Sequence, residues 1–299
     1  MVWLKSASRA VSLSILFGIA GVAPAQAAAA RLEPVDLELV IATDTSGSID
    51  YNEAMLQRGG VAAAFRSAEV ARAISEGPLG KIGVLYLDWS GGFNNRIVLD
   101  WRVIHGKADA DAFADALLKA PWTDGQGTAI GEAIAFAAGL IETNNLEGMQ
   151  KTIDVSGDGP NNSGRPVAEV RDEIAARGIT INGLPIVTDE YGGGEWGIYY
   201  GQLDKYYANC VIGGPQSFAL PAKGFQDFAT AIRRKLILEL SDAAPARRLG
   251  SGVIKVAAVP PPAPQGPRPL RPDAVSREQA RINCGGGGPN RGFGFGRFR

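Results

Sequence analysis

The chain has little with which to do covalent or redox chemistry. It holds one histidine, His105, and two cysteines, Cys210 and Cys284, among 299 residues. No cysteine–histidine spacing suits a zinc site. No Gly-x-Ser-x-Gly elbow is present, so the commonest serine-hydrolase signature is missing. No internal repeat occurs. Past residue 27 no apolar run approaches the roughly 20 residues of a bilayer span. His105 follows a stretch with strand character, where a lone histidine is more often a surface residue than a catalytic base.

Charge is also unevenly spread. The formal net charge is only −1. Residues 243–299 carry ten Lys and Arg against Asp273 and Glu278, a net of +8. Lys5 and Arg9 add +2, so residues 28–242 stand at −11. An acidic body attracts cations and disfavours nucleic acid. The basic segment is read as a solvated tail, with contact to an anionic envelope surface as the other option.

The first 27 residues have the layout of a secretory leader. Lys5 and Arg9 form a basic start, Val11–Val22 an apolar centre, and Ala25-Gln26-Ala27 a small-x-small cleavage site. Export to the periplasm or the outside follows as an expectation, and an exported chain permits a disulfide. A bridge between Cys210 and Cys284 and two independent thiols both fit the sequence. Three regions result: a leader 1–27, a globular domain 28–242, and a disordered Pro/Gly/Arg-rich tail 243–299.

Within the domain, apolar strands alternate with amphipathic helices. Leu37–Thr43, Ile82–Trp89, Thr152–Val155 and Ile179–Val187 read as strands, with Phe218–Leu220 as a last one and Cys210 in a short one. Arg96–Ile104 returns from a turn at Ser90–Asn95 as an antiparallel strand. Helical spacing marks Asp50–Ser75, Asp109–Lys119 with Phe113, Leu117 and Leu118 inward, Thr128–Glu142, Pro166–Arg177, Leu203–Ala208 and Gly224–Leu240. Gly59-Gly60 either weakens the first helix or lets it pack closely on the sheet. The alternation predicts an open, mostly parallel, doubly wound α/β sheet with one antiparallel edge strand. Asp88 and Trp89 end a strand beside the first. A place near the crevice fits both, and so do core packing for Trp89 and a turn contact for Asp88.

Three polar stretches follow strands or open helices. Asp44-Thr45-Ser46-Gly47-Ser48 leaves the first strand, Gly125-Gln126-Gly127-Thr128 precedes a helix, and Ser156-Gly157-Asp158-Gly159 leaves the strand Thr152–Val155. In an open parallel sheet such loops converge outside the carboxyl ends of the strands. Two carboxylates and three hydroxyls there form an all-oxygen donor set, which suits a hard divalent cation. Taken singly, Asp50 with Glu53 also makes a capping box, Thr128 a helix cap, and Asp158 a turn residue before Pro160.

Taken together, Asp44-x-Ser46-x-Ser48, Gly127-Thr128 and Ser156-Gly157-Asp158-Gly159 resemble the metal-ion-dependent adhesion site of von Willebrand factor type A domains. The stretch Asp154–Asn162, with Val211–Pro215, also resembles an uncharacterised exported bacterial family of that type. The resemblance spans about Leu37–Leu240. It implies that Asp44, Ser46, Ser48, Thr128 and Asp158 hold Mg²⁺ or Mn²⁺. It also implies that a partner protein's acidic group completes the metal shell. The Gly-rich stretch Thr188–Gly197 and the Tyr199–Tyr207 region depart from the general pattern, so the partner cannot be carried over. The alternative function is a metal-assisted hydrolase of a phosphate or acyl ester, with Ser46, Ser48 or Asp44 reacting. Dinucleotide binding through Gly125, Gly127 and Gly131 is a weak third reading, because those glycines follow a helix and not a first strand.

Overall fold

The central strand β1, Glu33–Asp44, is buried from Val35 onward. In the computed structural model, which describes residues 32–92, 94–188, 202–243 and 284, it pairs in parallel with a neighbour on each side. β2 (Ile82–Trp89) places Asp44 beside Trp89, and β4 (Leu146–Gly157) places Thr43 beside Ser156. β3 (Asn95–Ile104) is antiparallel to β2 at one edge. β5 (Thr180–Val187) and the short β6 (Ala222–Lys223) continue in parallel on the other side. The order β3-β2-β1-β4-β5-β6 confirms the open, mostly parallel sheet with one antiparallel edge strand.

Seven helices complete the described residues: α1 Tyr51–Arg66, α2 Ala68–Ser75, α3 Lys107–Lys119, α4 Ile130–Glu142, α5 Val167–Ala176, α6 Leu203–Tyr206 and α7 Phe228–Ala243. A π turn, Tyr207–Val211, extends α6, and a 3₁₀ turn, Phe225–Asp227, leads into α7. The strands alternate their side chains between two apolar layers. Leu37, Leu39 and Ile41 face Phe65, Phe113, Phe228 and Leu236. Val40 and Ala42 face Ile130, Ile134, Val170 and Tyr206. Both faces are covered, which is why β1 and β2 read as unbroken apolar runs.

Several expectations are corrected. The helix expected over Asp50–Ser75 is two helices. Ser67 is extended (ψ 146°), and its Oγ caps α2 by accepting from Val70 N at 3.2 Å. Gly60 serves a helix and not the sheet, since a Cβ there would lie 2.8 Å from the Phe228 ring of α7. Leu118 is exposed, one position off the inward face that Phe113 and Leu117 occupy. Phe218–Leu220 makes only an isolated bridge, Gly183 with Ala219. Pro221 has no N–H to continue the ladder, and the last strand follows it as β6. Cys210 sits in the π turn, not a strand, and is joined to Cys284 in a disulfide. The leader, the stretch 189–201 and the tail beyond 243, Cys284 apart, lie outside the described residues. No described helix is long and apolar enough to cross a membrane.

Candidate metal centre

β1 changes direction abruptly at its last residue. Asp44 is buried and turns its own loop: Oδ1 accepts from Ser46 N at 2.7 Å, and Thr45 N donates to Trp89 O at 2.8 Å. This local bond is the ordinary preference of aspartate at a turn. It sets Ser46 Oγ 3.1 Å from Ser48 Oγ, and Ser48 Oγ donates to Asp158 Oδ1 at 2.9 Å. Asp50 then caps α1. Its Oδ1 accepts from Glu53 N and its own N donates to Glu53 Oε2, both at 2.9 Å, which is the capping box read from sequence. Helix α1 reaches back through Gln57, whose Nε2 donates to Asp44 O at 3.3 Å.

The second loop is tied to the first by backbone. Gly125 N donates to Thr45 O at 2.9 Å, and Gly91 N to Gln126 O at 3.0 Å. The latter approach needs glycine, because a Cβ at residue 91 would fall 2.1 Å from Gln126 O. Thr128 is buried two residues before α4, and Ala129 holds the cap position, so Thr128 is not the helix cap. It is gripped by the third loop instead. Thr128 N donates to Asn162 Oδ1 at 2.8 Å, Asn162 N to Thr128 O at 2.8 Å, and Asn162 Nδ2 to Thr128 Oγ1 at 3.3 Å. Asn161 Oδ1 accepts from Gly131 N at 3.1 Å. All five sequence-derived candidates therefore stand on three interlocked loops at the carboxyl ends of β1 and β4. This is where the strand order reverses and ligand sites form in such sheets.

Sequence reasoning named Asp88 without its partners and missed how these loops are held. Asp88, near the end of β2, receives Arg58 at 2.8 Å and Arg96 at 2.6 Å. Arg58 also donates to Ala120 O at 2.7 Å and Pro121 O at 3.2 Å, and Arg96 to Pro121 O at 3.0 Å. This cluster pins the start of the loop that delivers Thr128, so Asp88 has a positioning role. Trp89 is core packing. Asn161 and Asn162 were visible as neighbours of Asp158, but their partners lie about thirty residues away in sequence. Arg58 carries no signal at all, being one arginine inside a helix.

Burial dominates the electrostatics of the two carboxylates. Burial, reinforced by the charge of Asp158 and opposed by the Ser46 bond, holds the Asp44 carboxyl well above the usual range. Burial pushes Asp158 up to about 6, with the Glu53 charge adding to it and the Ser48 bond opposing it. Asp44 Oδ2 is buried with no hydrogen-bond partner. Among the described residues no Lys, Arg or His ion-pairs with either carboxylate. Gly157 leaves room beside them, because a Cβ there would sit 2.8 Å from Asp44 Oδ2. An orphaned oxygen, two like charges and an all-oxygen lining fit a hard divalent cation. His105 stands elsewhere. It follows Ile104, which pairs with Ile82 and through it with Leu37, seven residues or about 23 Å along β1 from Asp44.

A profile described as "protein of unknown function (DUF1194)" matches residues 34–244. The chain belongs to the DUF1194 family. The sheet order, with one antiparallel edge strand and helices on both faces, gives this DUF1194 chain a von Willebrand factor type A-like α/β fold. No curated protein matches the sequence. Among solved structures, it is similar to a pilus adhesin, SpaC, from Lactobacillus rhamnosus GG (13% identity, 71% of this chain and 30% of that one, TM-score 0.48). It is also similar to a von Willebrand factor type A protein from Catenulispora acidiphila (18%, 70% and 43%, TM-score 0.44). A third is proximal thread matrix protein 1 from the mussel byssus, with a zinc-occupied MIDAS motif (19%, 72% and 49%, TM-score 0.46). The DUF1194 chain spans less than half the length of each. At these scores none bears on function.

Proposed function

We propose that this DUF1194 protein is an exported, metal-dependent protein-binding module of the adhesion type. Asp44, Ser46, Ser48, Thr128 and Asp158 hold Mg²⁺ or Mn²⁺ at the carboxyl edge of the sheet, directly or through water. When bound, the cation supplies a Lewis-acid position to which an acidic side chain of a partner protein attaches. The chain's own residues do the rest. The Ser46 amide orients Asp44, Ser48 orients Asp158, and Asn162 orients Thr128. The observation that carries this reading is the pair of buried carboxylates without a cationic side chain paired to them among the described residues. Such a pair is costly to leave uncompensated.

Calorimetric titration of Mg²⁺ and Mn²⁺ into the full-length protein, beside Asp44→Ala, tests the reading. Binding in the parent and none in the variant is the expected result. An envelope-protein capture that EDTA abolishes would then extend it to a partner. Equal binding by parent and variant, or capture indifferent to EDTA, would sink it.

A further inference from the structure

Tyr207 is a residue of the metal centre that no motif announces. It belongs to the π turn after α6, in the connection between β5 and β6. Two glycines on neighbouring strands make its slot. A Cβ at Gly183 of β5 would lie 2.7 Å from Tyr207 Cδ1, and a Cβ at Gly157 of β4 would lie 2.9 Å from the Tyr207 hydroxyl. That same point above Gly157 is 2.8 Å from Asp44 Oδ2. The ring therefore crosses β5 and brings its hydroxyl to the gap that Asp44 also faces.

Both oxygens at that gap are buried, and neither has a hydrogen-bond partner among the described residues. One is a donor and the other an acceptor, and a buried polar group left unmatched costs on the order of 1–3 kcal/mol. A tyrosine hydroxyl such as that of Tyr207 can donate as well as accept. Its neighbour Tyr206 is spent differently, accepting from Asn161 N in the third loop at 3.2 Å. The Cys210–Cys284 disulfide fastens the same turn three residues on.

We propose that Tyr207 is a positioning residue for the metal centre: its O–H, directly or through one water, holds the outer oxygen of Asp44 in the orientation that receives the cation. This rests on the metal reading above. Partners one step removed from a metal commonly set affinity by 10- to 100-fold.

The test titrates Mn²⁺ into the full-length wild type, Tyr207→Phe and Gly157→Ala, with the tyrosine ultraviolet difference spectrum recorded on metal addition and thermal melting recorded without metal. The expected result is a roughly 10- to 100-fold weaker affinity in Tyr207→Phe at an unchanged melting temperature. The metal-induced tyrosine signal of the wild type should vanish with it. Gly157→Ala, which puts a methyl between the two oxygens, should weaken binding similarly, so the inference stays testable should Tyr207→Phe fold poorly. Wild-type binding with wild-type affinity in both variants overturns this inference and leaves the metal reading intact. No binding by the wild type overturns both.

Discussion

Two pairs of buried carboxylates sit on this sheet, and the protein treats them differently. Asp154 on β4 and Glu239 on α7 share Lys235, whose Nζ lies 2.7 Å from Asp154 and 2.5 Å from Glu239, all three side chains being sealed from solvent. Asn182 donates to Glu239 at 2.8 Å, and the Phe218 ring lies 5.5 Å from the ammonium. Asp44, at the end of β1, and Asp158, just past the end of β4, have no such cation among the described residues. Other buried acids are matched too. Asp36 accepts from Leu79 N, Glu38 from Gly148 N and Asn144, and Asp88 from two arginines. Among the described residues countercharge is supplied at the one pair and not at the other, and the proposed cation site rests on that contrast. Such sites trade stability for function.

The contrast can be broken most forcefully at Lys235. Lys235→Met strands two carboxylates in the core and should cost about 3–5 kcal/mol in urea unfolding. Adding Asp154→Asn and Glu239→Gln should recover most of that loss. A single variant as stable as the wild type would mean that the ammonium is not needed there.

At the other pair the sign reverses. Asp44→Asn removes one of two repelling, unmatched charges and should raise metal-free stability by about 1 kcal/mol. The rise in melting temperature that Mn²⁺ gives the wild type should disappear. A metal-free loss of stability in Asp44→Asn would show that the two pairs are equivalent after all.

The first pair also carries a pH dependence. Burial raises Glu239 from 4.5 to about 7, the Asp154 charge adding to it and Lys235 opposing it, and burial raises Asp154 in the same direction. The folded state thus keeps a proton that the unfolded chain releases above about 4.5. This contribution to stability is present below that pH and falls as pH rises to about 7. The urea midpoint should drop from pH 5 to pH 7.5 more steeply in the wild type than in Glu239→Gln, and parallel slopes would refute this.

Much of this arrangement was legible beforehand, for identifiable reasons. The strand run Leu37–Thr43 could be read because β1 is buried on both faces, which leaves no polar alternation. Asp44, Ser46, Ser48 and Asp158 could be read because their spacing within short loops is local. The break at Ser67 was missed because apolar spacing continues across it. The short β6 was missed because the apolar Phe218–Leu220 beside it carries the stronger pattern, while two strand residues carry almost none. Lys235 and Glu239 looked like the polar side of an amphipathic helix, since i, i+4 charge pairs usually face water.

The sequence by itself determined the alternation of strands and helices, the order of the three loops and the oxygen-bearing side chains on them, because each depends on neighbours within a few residues. Tertiary structure alone decided which carboxylates receive a cation from within, that Arg58 and Arg96 converge on Asp88, that Cys210 meets Cys284, and that Tyr207 crosses two glycines to face Asp44. Lys235 and Glu239 apart, which lie four positions from each other on one helix, those pairings join residues eight to 163 positions apart. Packing brings them together, and no local preference encodes it.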